Sequence, residues 1–159
     1  MEKAFVVAVL LTLLITFSGC TSPGTDMNDS EPIKIDFDAD YSTYTTGDDI
    51  NLLLDIINND ENDMRNVTAT IEVTEPDYWK NFTATKGLGD ILGSDASTGT
   101  PGGFKHATWI LEAPTIPGGD PARSYIIRVK ITYDTGTIER ATGITVISPE
   151  EAESLKKSA

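Results

Sequence analysis

The sequence predicts an all-β domain, a sandwich of two antiparallel sheets with Greek-key connections and about seven strands. Three observations predict it. Beyond residue 32, apolar and polar residues alternate with period two, the spacing of a strand with one buried face. Clusters of Gly, Pro, Asn and Asp separate the alternating runs, and these residues suit tight turns. Within residues 33–147 no run has the period of a helix.

Six strands are read directly. In IKIDFDADY, Ile33, Ile35, Phe37 and Ala39 share one face, and Lys34, Asp36, Asp38 and Asp40 share the other. Gly47-Asp48-Asp49 turns the chain, and Ile50, Leu52, Leu54 and Ile56 repeat the spacing. Leu53 and Ile57 fall between them, so this run is apolar on both faces and is read as a central strand. Asn58 to Asn66 is a polar turn. Val67, Ala69, Ile71 and Val73 make the third strand, ended by Glu75-Pro76. The fourth is ATWILEAP, residues 107–114, with Trp109 and Leu111 on one face. After the turn Pro117-Gly118-Gly119-Asp120-Pro121, the fifth alternates Tyr125, Ile127, Val129, Ile131 and Tyr133 with Ile126, Arg128, Lys130 and Thr132. Asp134-Thr135-Gly136 turns the chain into the sixth, Ile138 to Ile147, with Ile144 and Val146 facing in. One or two further strands are expected between residues 78 and 92. Trp109 and Tyr125 are the expected large core anchors.

Ser148-Pro149-Glu150-Glu151 opens a C-terminal tail, residues 148–159. Ser at the cap, Pro at the first helical position and Glu three residues after the cap suit a helix start. The segment is too short to be stable alone, so a frayed turn or two is expected.

Charge and composition exclude several function classes. The 159 residues hold 12 Lys+Arg against 25 Asp+Glu, a net charge of −13. Phosphate backbones need a basic face, so nucleic-acid binding is excluded. The single Cys excludes an internal disulfide framework and every multi-Cys zinc motif. The single His excludes a metal site built on several imidazoles.

That Cys has a telling position. Ala4 to Phe17 is an apolar run broken only by Thr12 and Thr16, with Lys3 before it and Ser18-Gly19-Cys20 after it. A short basic start, an apolar core and a small-residue exit describe a secretory signal peptide. The run is shorter than the roughly 20 apolar residues that span a bilayer. Phe17-Ser18-Gly19-Cys20 resembles the lipobox of prokaryotic lipoproteins, which implies removal of residues 1–19 and lipid on the Cys20 thiol. Phe17 stands where Leu or Val is commoner. Residues 20–32 then form a polar, Pro/Gly-bounded tether that cannot order itself by burial. The chain is thus expected on the extracellular face of the cell membrane, with the membrane as partner through Cys20. A plain signal peptide with an incidental Cys is the simpler alternative. A second alternative rests on Lys3-Ala4-Phe5-Val6, which resembles the cleavage site of archaeal type IV prepilins. It implies a filament subunit with a retained apolar helix from Phe5 to Phe17.

The stretch Tyr44-Thr45-Thr46-Gly47-Asp48-Asp49-Ile50-Asn51-Leu52-Leu53-Leu54-Asp55-Ile56-Ile57-Asn58 is similar to the CARDB and S-layer-associated immunoglobulin-like domains of archaeal and bacterial surface proteins. Asn66-Val67-Thr68-Ala69-Thr70-Ile71 matches their next strand, and residues 109–114 and 125–133 match later ones. The resemblance covers roughly residues 41–147. It implies an immunoglobulin-like sandwich acting as spacer, adhesion module or envelope component, with an envelope protein or glycan as partner and no cofactor. Two departures stand out: Asn59-Asp60 replaces the usual Gly after the Asn turn, and residues 77–106 form a long connection.

Five features are candidate sites. Asn66-Val67-Thr68, Asn81-Phe82-Thr83 and Asn28-Asp29-Ser30 are N-glycosylation sequons. Asp55, Asp60, Glu61 and Asp63, with Asn58, Asn59 and Asn62, concentrate oxygen ligands of the type calcium takes. Asp60, Glu61 and Asp63 are the core of that calcium candidate. The Gly and terminal Glu of an EF-hand are missing, and the plainer reading is a solvated acidic turn that favours solubility. Residues 86–106 hold six glycines and read as a long loop, either a ligand loop or disordered. Within them, Gly87-Leu88-Gly89-Asp90 superficially resembles a phosphate-binding turn, but no Lys-Ser/Thr pair and no amphipathic helix follow. His106 is the one side chain with a reference pKa near neutrality, and no Ser or Cys nucleophile accompanies it nearby in sequence. Carboxylate pairs could hydrolyse glycosides, yet among 25 acids nothing singles one out. No catalytic constellation is read, and a non-enzymatic protein is expected.

Overall fold

The structure is a computed structural model that describes residues 31–80 and 84–158. In chain order the elements are β1 (Ile33–Ala39), β2 (Thr43–Thr45), β3 (Asp49–Asn58), β4 (Met64–Val73), β5 (Thr85–Ile91), β6 (Phe104–Glu112), β7 (Ala122–Tyr133), β8 (Gly136–Ile147) and α1 (Pro149–Ser158). They form two sheets. One has three strands in the order β1-β3-β6, and the other has five in the order β2-β8-β7-β4-β5. Every pairing is antiparallel except the short β2–β8 ladder, which is parallel. This is the immunoglobulin-like sandwich expected from the alternation.

The period-two pattern places the core. Ile35, Leu52, Leu54, Ile56, Trp109 and Leu111 face inward from the three-stranded sheet. Val67, Ala69, Ile71, Ile127, Val129, Ile131, Ile144 and Val146 face them from the other, with Tyr125. Burying a side chain of this size contributes roughly 1.5–3 kcal/mol, so the layer stands on packing alone. Trp109 and Tyr125 are both core residues, as expected, and Tyr125 meets Trp79 edge-to-face at 5.5 Å between ring centroids.

Four details refine the expectation. β2 is a strand of only three residues, too short to show a period. β5 is a strand within residues 78–92, where one or two are expected, and it runs through Gly87 and Gly89 of the segment that also reads as loop. β3 is central because it bonds β1 on one side and β6 on the other, not because both its faces are buried: Leu53 points outward and is 41% exposed. The tail forms a ten-residue helix with no buried side chain, started by Ser148 Oγ accepting a hydrogen bond from the Glu151 amide at 3.1 Å.

Between β1 and β2 the chain leaves one sheet and joins the other, and a tyrosine fixes this corner. The Tyr44 hydroxyl donates to Asp40 Oδ1 at 2.5 Å and accepts from the Tyr41 amide at 2.9 Å. Asp40 also accepts from the Asn51 amide at 3.2 Å and from Asn51 Nδ2 at 2.8 Å. Burial opposes ionisation of Asp40, but the hydrogen bonds from Tyr44 and Asn51 outweigh it and hold its carboxyl below the usual range. Its stabilising contribution is therefore present above the unfolded pKa and lost as pH falls through the lower folded value.

Burial, reinforced by the bond to Asp40, pushes the Tyr44 phenol up to about 12. The unfolded phenol ionises near 10, so the folded protein keeps a proton that the unfolded chain releases. The contribution of this group is full below pH 10 and is lost as pH rises toward about 12. Replacing Tyr44→Phe is expected to cost about 1 kcal/mol at neutral pH, the usual worth of one hydrogen bond. It should also flatten the alkaline loss of stability, which urea unfolding across that pH range measures.

Candidate functional site

One end of the sandwich gathers the β3–β4 turn, the β5–β6 loop, the β7–β8 turn and the start of β1. Ile33 pairs with Asn58, Met64 with Ile91, and Tyr133 with Gly136, which brings these segments together. Asn58 is the hub. It is the buried polar side chain among the described residues, with no exposed surface. Its Nδ2 donates to the Asn62 carbonyl at 2.9 Å and to the Ile91 carbonyl at 3.2 Å, and its Oδ1 accepts from the Asp60 amide at 3.2 Å. Its own amide donates to the Gly103 carbonyl at 3.0 Å. One amide thus ties the ends of β3 and β5 to the turn between β3 and β4, while its backbone holds the approach to β6.

The glycines of the β5–β6 loop are explained by this crowding. A methyl group at Gly102 would lie 1.7 Å from the Asn58 carbonyl oxygen, and one at Gly93 would lie 2.5 Å from that of Glu61. The loop therefore lies directly on the 58–63 backbone. Ser94 strengthens the clasp: its amide donates to the Asp60 carbonyl and its hydroxyl to the Asn59 carbonyl, both at 2.7 Å. Part of segment 86–106 is thus strand, and the rest is a loop fastened to its neighbour. The Gly87-Leu88-Gly89-Asp90 stretch lies within β5.

The acidic turn sits beneath this loop. Asp60 Oδ1 accepts from the Asn62 amide and from Asn62 Nδ2, both at 2.8 Å, and these bonds lower its pKa. Asp63 Oδ1 accepts from the Gly93 amide at 3.0 Å, and its Oδ2 lies 3.5 Å from Arg65. Asp60 and Asp63 therefore spend oxygens on chain geometry, and Glu61 supplies its backbone carbonyl to the crowded approach of Gly93. Among the described residues, no group of three or more His, Cys, Asp or Glu side chains is arranged to hold a metal. Ile33, Glu61, Met64, Arg65, Tyr133 and Asp134 border a shallow open cleft of about 690 Å³. Arg65 is outnumbered there by carboxylates, so the cleft disfavours anions.

Asn66 lies at the rim, where the β4–β5 pairing shifts register. Its φ is 53°, a left-handed conformation that Asn tolerates better than most residues. Its amide donates to Asp90 Oδ1 at 2.9 Å, and its Nδ2, the atom a glycan would take, donates to Asp134 at 2.9 Å. Asn66 is thus a bulge residue that ties β4 to the β7–β8 turn. Asn81, Asn28 and Cys20 lie outside the described residues. His106 stands apart from this end, on the outward face of β6. Its Nδ1 lies 2.6 Å from Asp55 Oδ1 on β3, and both side chains are about half exposed. That bond joins two strands in register. Sequence reasoning placed Asn58 among the oxygen ligands. Its role as a buried tie depends on Ile91 and Gly103, which are remote in sequence.

No protein-family model matches this chain, and no curated protein sequence matches it. Solved structures do match. The sporulation control protein Spo0M of Bacillus subtilis is similar with a TM-score of 0.50 at 11% identity, over 80% of this chain and 54% of that one. This chain therefore spans about half of Spo0M. A FixG-related protein of Vibrio parahaemolyticus matches with a TM-score of 0.45 at 14% identity, over 75% and 98%. The CARDB domain of a Pyrococcus furiosus protein matches with a TM-score of 0.45 at 11% identity, over 74% and 97%. Likeness at these identities is likeness of fold.

The clasp makes a sharp prediction. Gly102→Ala forces the loop off Asn58 and is expected to cost about 3 kcal/mol, as overpacking does when backbone must move. Gly87→Ala, with open space around it and no positive φ, should change stability by less than about 1 kcal/mol. Thermal unfolding of the two variants compares them directly.

Proposed function

We propose that this protein is an exported lipoprotein whose immunoglobulin-like sandwich is a non-catalytic binding or structural module at the cell envelope. The observation that carries this reading is Phe17-Ser18-Gly19-Cys20, which sets the single Cys of the chain directly behind an apolar export segment. Two acyl chains on Cys20 would hold the protein at the outer face of the membrane, since each buried CH2 contributes ~0.8 kcal/mol and stable anchoring takes two such signals. The polar tether of residues 20–32 would then lead to Ile33.

The geometry of the sandwich supports the module reading. The chain enters at the Asn58 end through β1, and β8 finishes at the opposite end. β7 and β8 have 12 residues each, about 40 Å at ~3.3 Å per residue. A domain strung lengthwise in this way is suited to hold what lies beyond it away from a surface. The polar groups at the loop end support the non-catalytic part. Asn58, Asp60, Asp63, Asn66 and Ser94 all direct donors or acceptors into the fold itself rather than toward a shared reacting point. The filament alternative keeps its basis in Lys3-Ala4-Phe5-Val6, and one measurement separates the two.

Mass spectrometry of the protein from its native cells is expected to find Cys20 as the first residue, carrying lipid. Cys20→Ser should then move the protein from the membrane to the soluble fraction. A retained segment 1–19, or an unmodified Cys20 thiol, overturns the anchor. A mature chain beginning at Ala4 or Phe5 establishes the filament subunit instead.

A further inference from the structure

The two outer faces of the sandwich are chemically unlike. On the five-stranded sheet the outward positions follow the usual rule for a face in water. Glu72 pairs with Arg128 and Lys130 with Glu139, Thr68 stands opposite Thr132, and Ser124 stands opposite Thr145. Ile126, 44% exposed, interrupts this face. The three-stranded sheet breaks the rule. Its outward positions include Leu53 and Ile57 on β3 and Phe104 and Ile110 on β6. Phe104 is 57% exposed and Ile110 60%. Ile57 stands directly opposite Phe104, Leu53 opposite Thr108, and Asn51 opposite Ile110. Opposed side chains on one face lie about 5 Å apart, so these four residues form a strip along the β3–β6 ladder, interrupted by the opposed Asp55–His106 pair that lies between Ile57–Phe104 and Leu53–Thr108.

Carboxylates flank and cross the strip. Asp36 and Asp38 on β1 stand opposite Asp55 and Leu53, and Asp49 stands opposite Glu112 at the far end. The cationic group on this face is Lys34, 3.8 Å from Asp36, and His106 bonds Asp55. The face therefore carries apolar residues on either side of a polar row, Asp36-Asp55-His106, and is acidic along its border. Isolated exposed apolar residues are ordinary, but a strip in register on adjacent strands marks a contact surface.

We propose that the outward face of β1-β3-β6 docks a partner protein whose contact surface presents apolar side chains set among Lys and Arg. Charge complementarity selects that occupant. A second copy would set Asp36, Asp38 and Asp55 against like charges, in a chain already at −13. An anionic lipid surface is repelled by the same border. The inference names the partner class for the module proposed above and rests on its binding role, not on the lipid at Cys20.

A photo-crosslinking residue placed at Ile110 in the full chain, expressed in its native cells, tests it, with Ile126 on the other face as the matched position. Mass spectrometry then reads the linked segment. The expected result is one defined protein segment with apolar residues flanked by Lys or Arg, linked from position 110 and not from 126. Combined Leu53→Ser and Phe104→Ser should reduce the yield about ten-fold, as loss of buried anchors does. Asp36→Lys should reduce it with the apolar strip intact, which covers the case of a double variant that folds poorly. Links to a second copy, to lipid or to glycan overturn the proposal. So do equal links from position 126, no link at all, or yields unmoved by Asp36→Lys. Fractionation of the same cells reads the anchor separately: a soluble protein that still links from position 110 refutes the lipid and leaves the docking face standing.

Discussion

A single buried amide sets the terms for one whole end of this molecule. Asn58 has no exposed surface, and its hydrogen bonds reach the β3–β4 turn, the end of β5 and the loop before β6. A polar group so placed is costly unless satisfied, and removing its partners would strand donors and acceptors away from water. The surrounding backbone must therefore stay close. Gly102 and Gly93 are the price of that closeness, since no side chain fits between the loop and the 58–61 backbone. The turn, the loop and the strand ends are one unit because one side chain requires all of them.

Much of the fold was legible because alternation reports a buried face directly. Ile50, Leu52, Leu54 and Ile56 announce β3, and Tyr125 to Tyr133 announce β7, without help from distant residues. Where burial is not the cause, the signal fails. β2 holds three residues and one of them, Tyr44, points inward, so it has no period to detect. β5 is an edge strand whose glycines leave few side chains to alternate, and it is held by its ladder to β4. The edge of β6 left without a strand partner is managed by a cation. Lys86 Nζ donates to the Thr108 carbonyl and lies over the Trp109 ring at 5.4 Å from its centroid. Nothing near Lys86 in sequence announces that role.

The site was less legible than the fold, for a physical reason. Residue type says that Asp60, Glu61 and Asp63 are oxygen donors, but only geometry says where their lone pairs are spent. Asp60 serves the Asn62 amide two residues away, which sequence suggests, while Asp63 serves Gly93 thirty positions on, which it does not. Asn66 was legible as a sequon. Its left-handed backbone and its bond to Asp134 became visible only once β4 and the β7–β8 turn were side by side. The outward apolar residues of β3 show in the sequence as a strand apolar on both faces, which reads as a central strand, and β3 is central. The three-stranded sheet has no layer outside it among the described residues, so the same pattern is an exposed strip.

The parallel β2–β8 ladder has a mechanical consequence. β2 and β8 run in the same direction, with Thr43 beside Thr145 and Thr45 beside Ile147. Tension applied between residue 33 and residue 147 loads the β1–β3 ladder first and, once β1 parts, drags β2 backward along its own axis while drawing β8 forward. The two strands must then slide, and their hydrogen bonds carry the load side by side instead of parting one after another as a zipper does. The Tyr44–Asp40 bond lies on the chain segment that transmits this pull. A corner that looks like a mere change of layer is thus also the latch through which a stretched chain would have to give way.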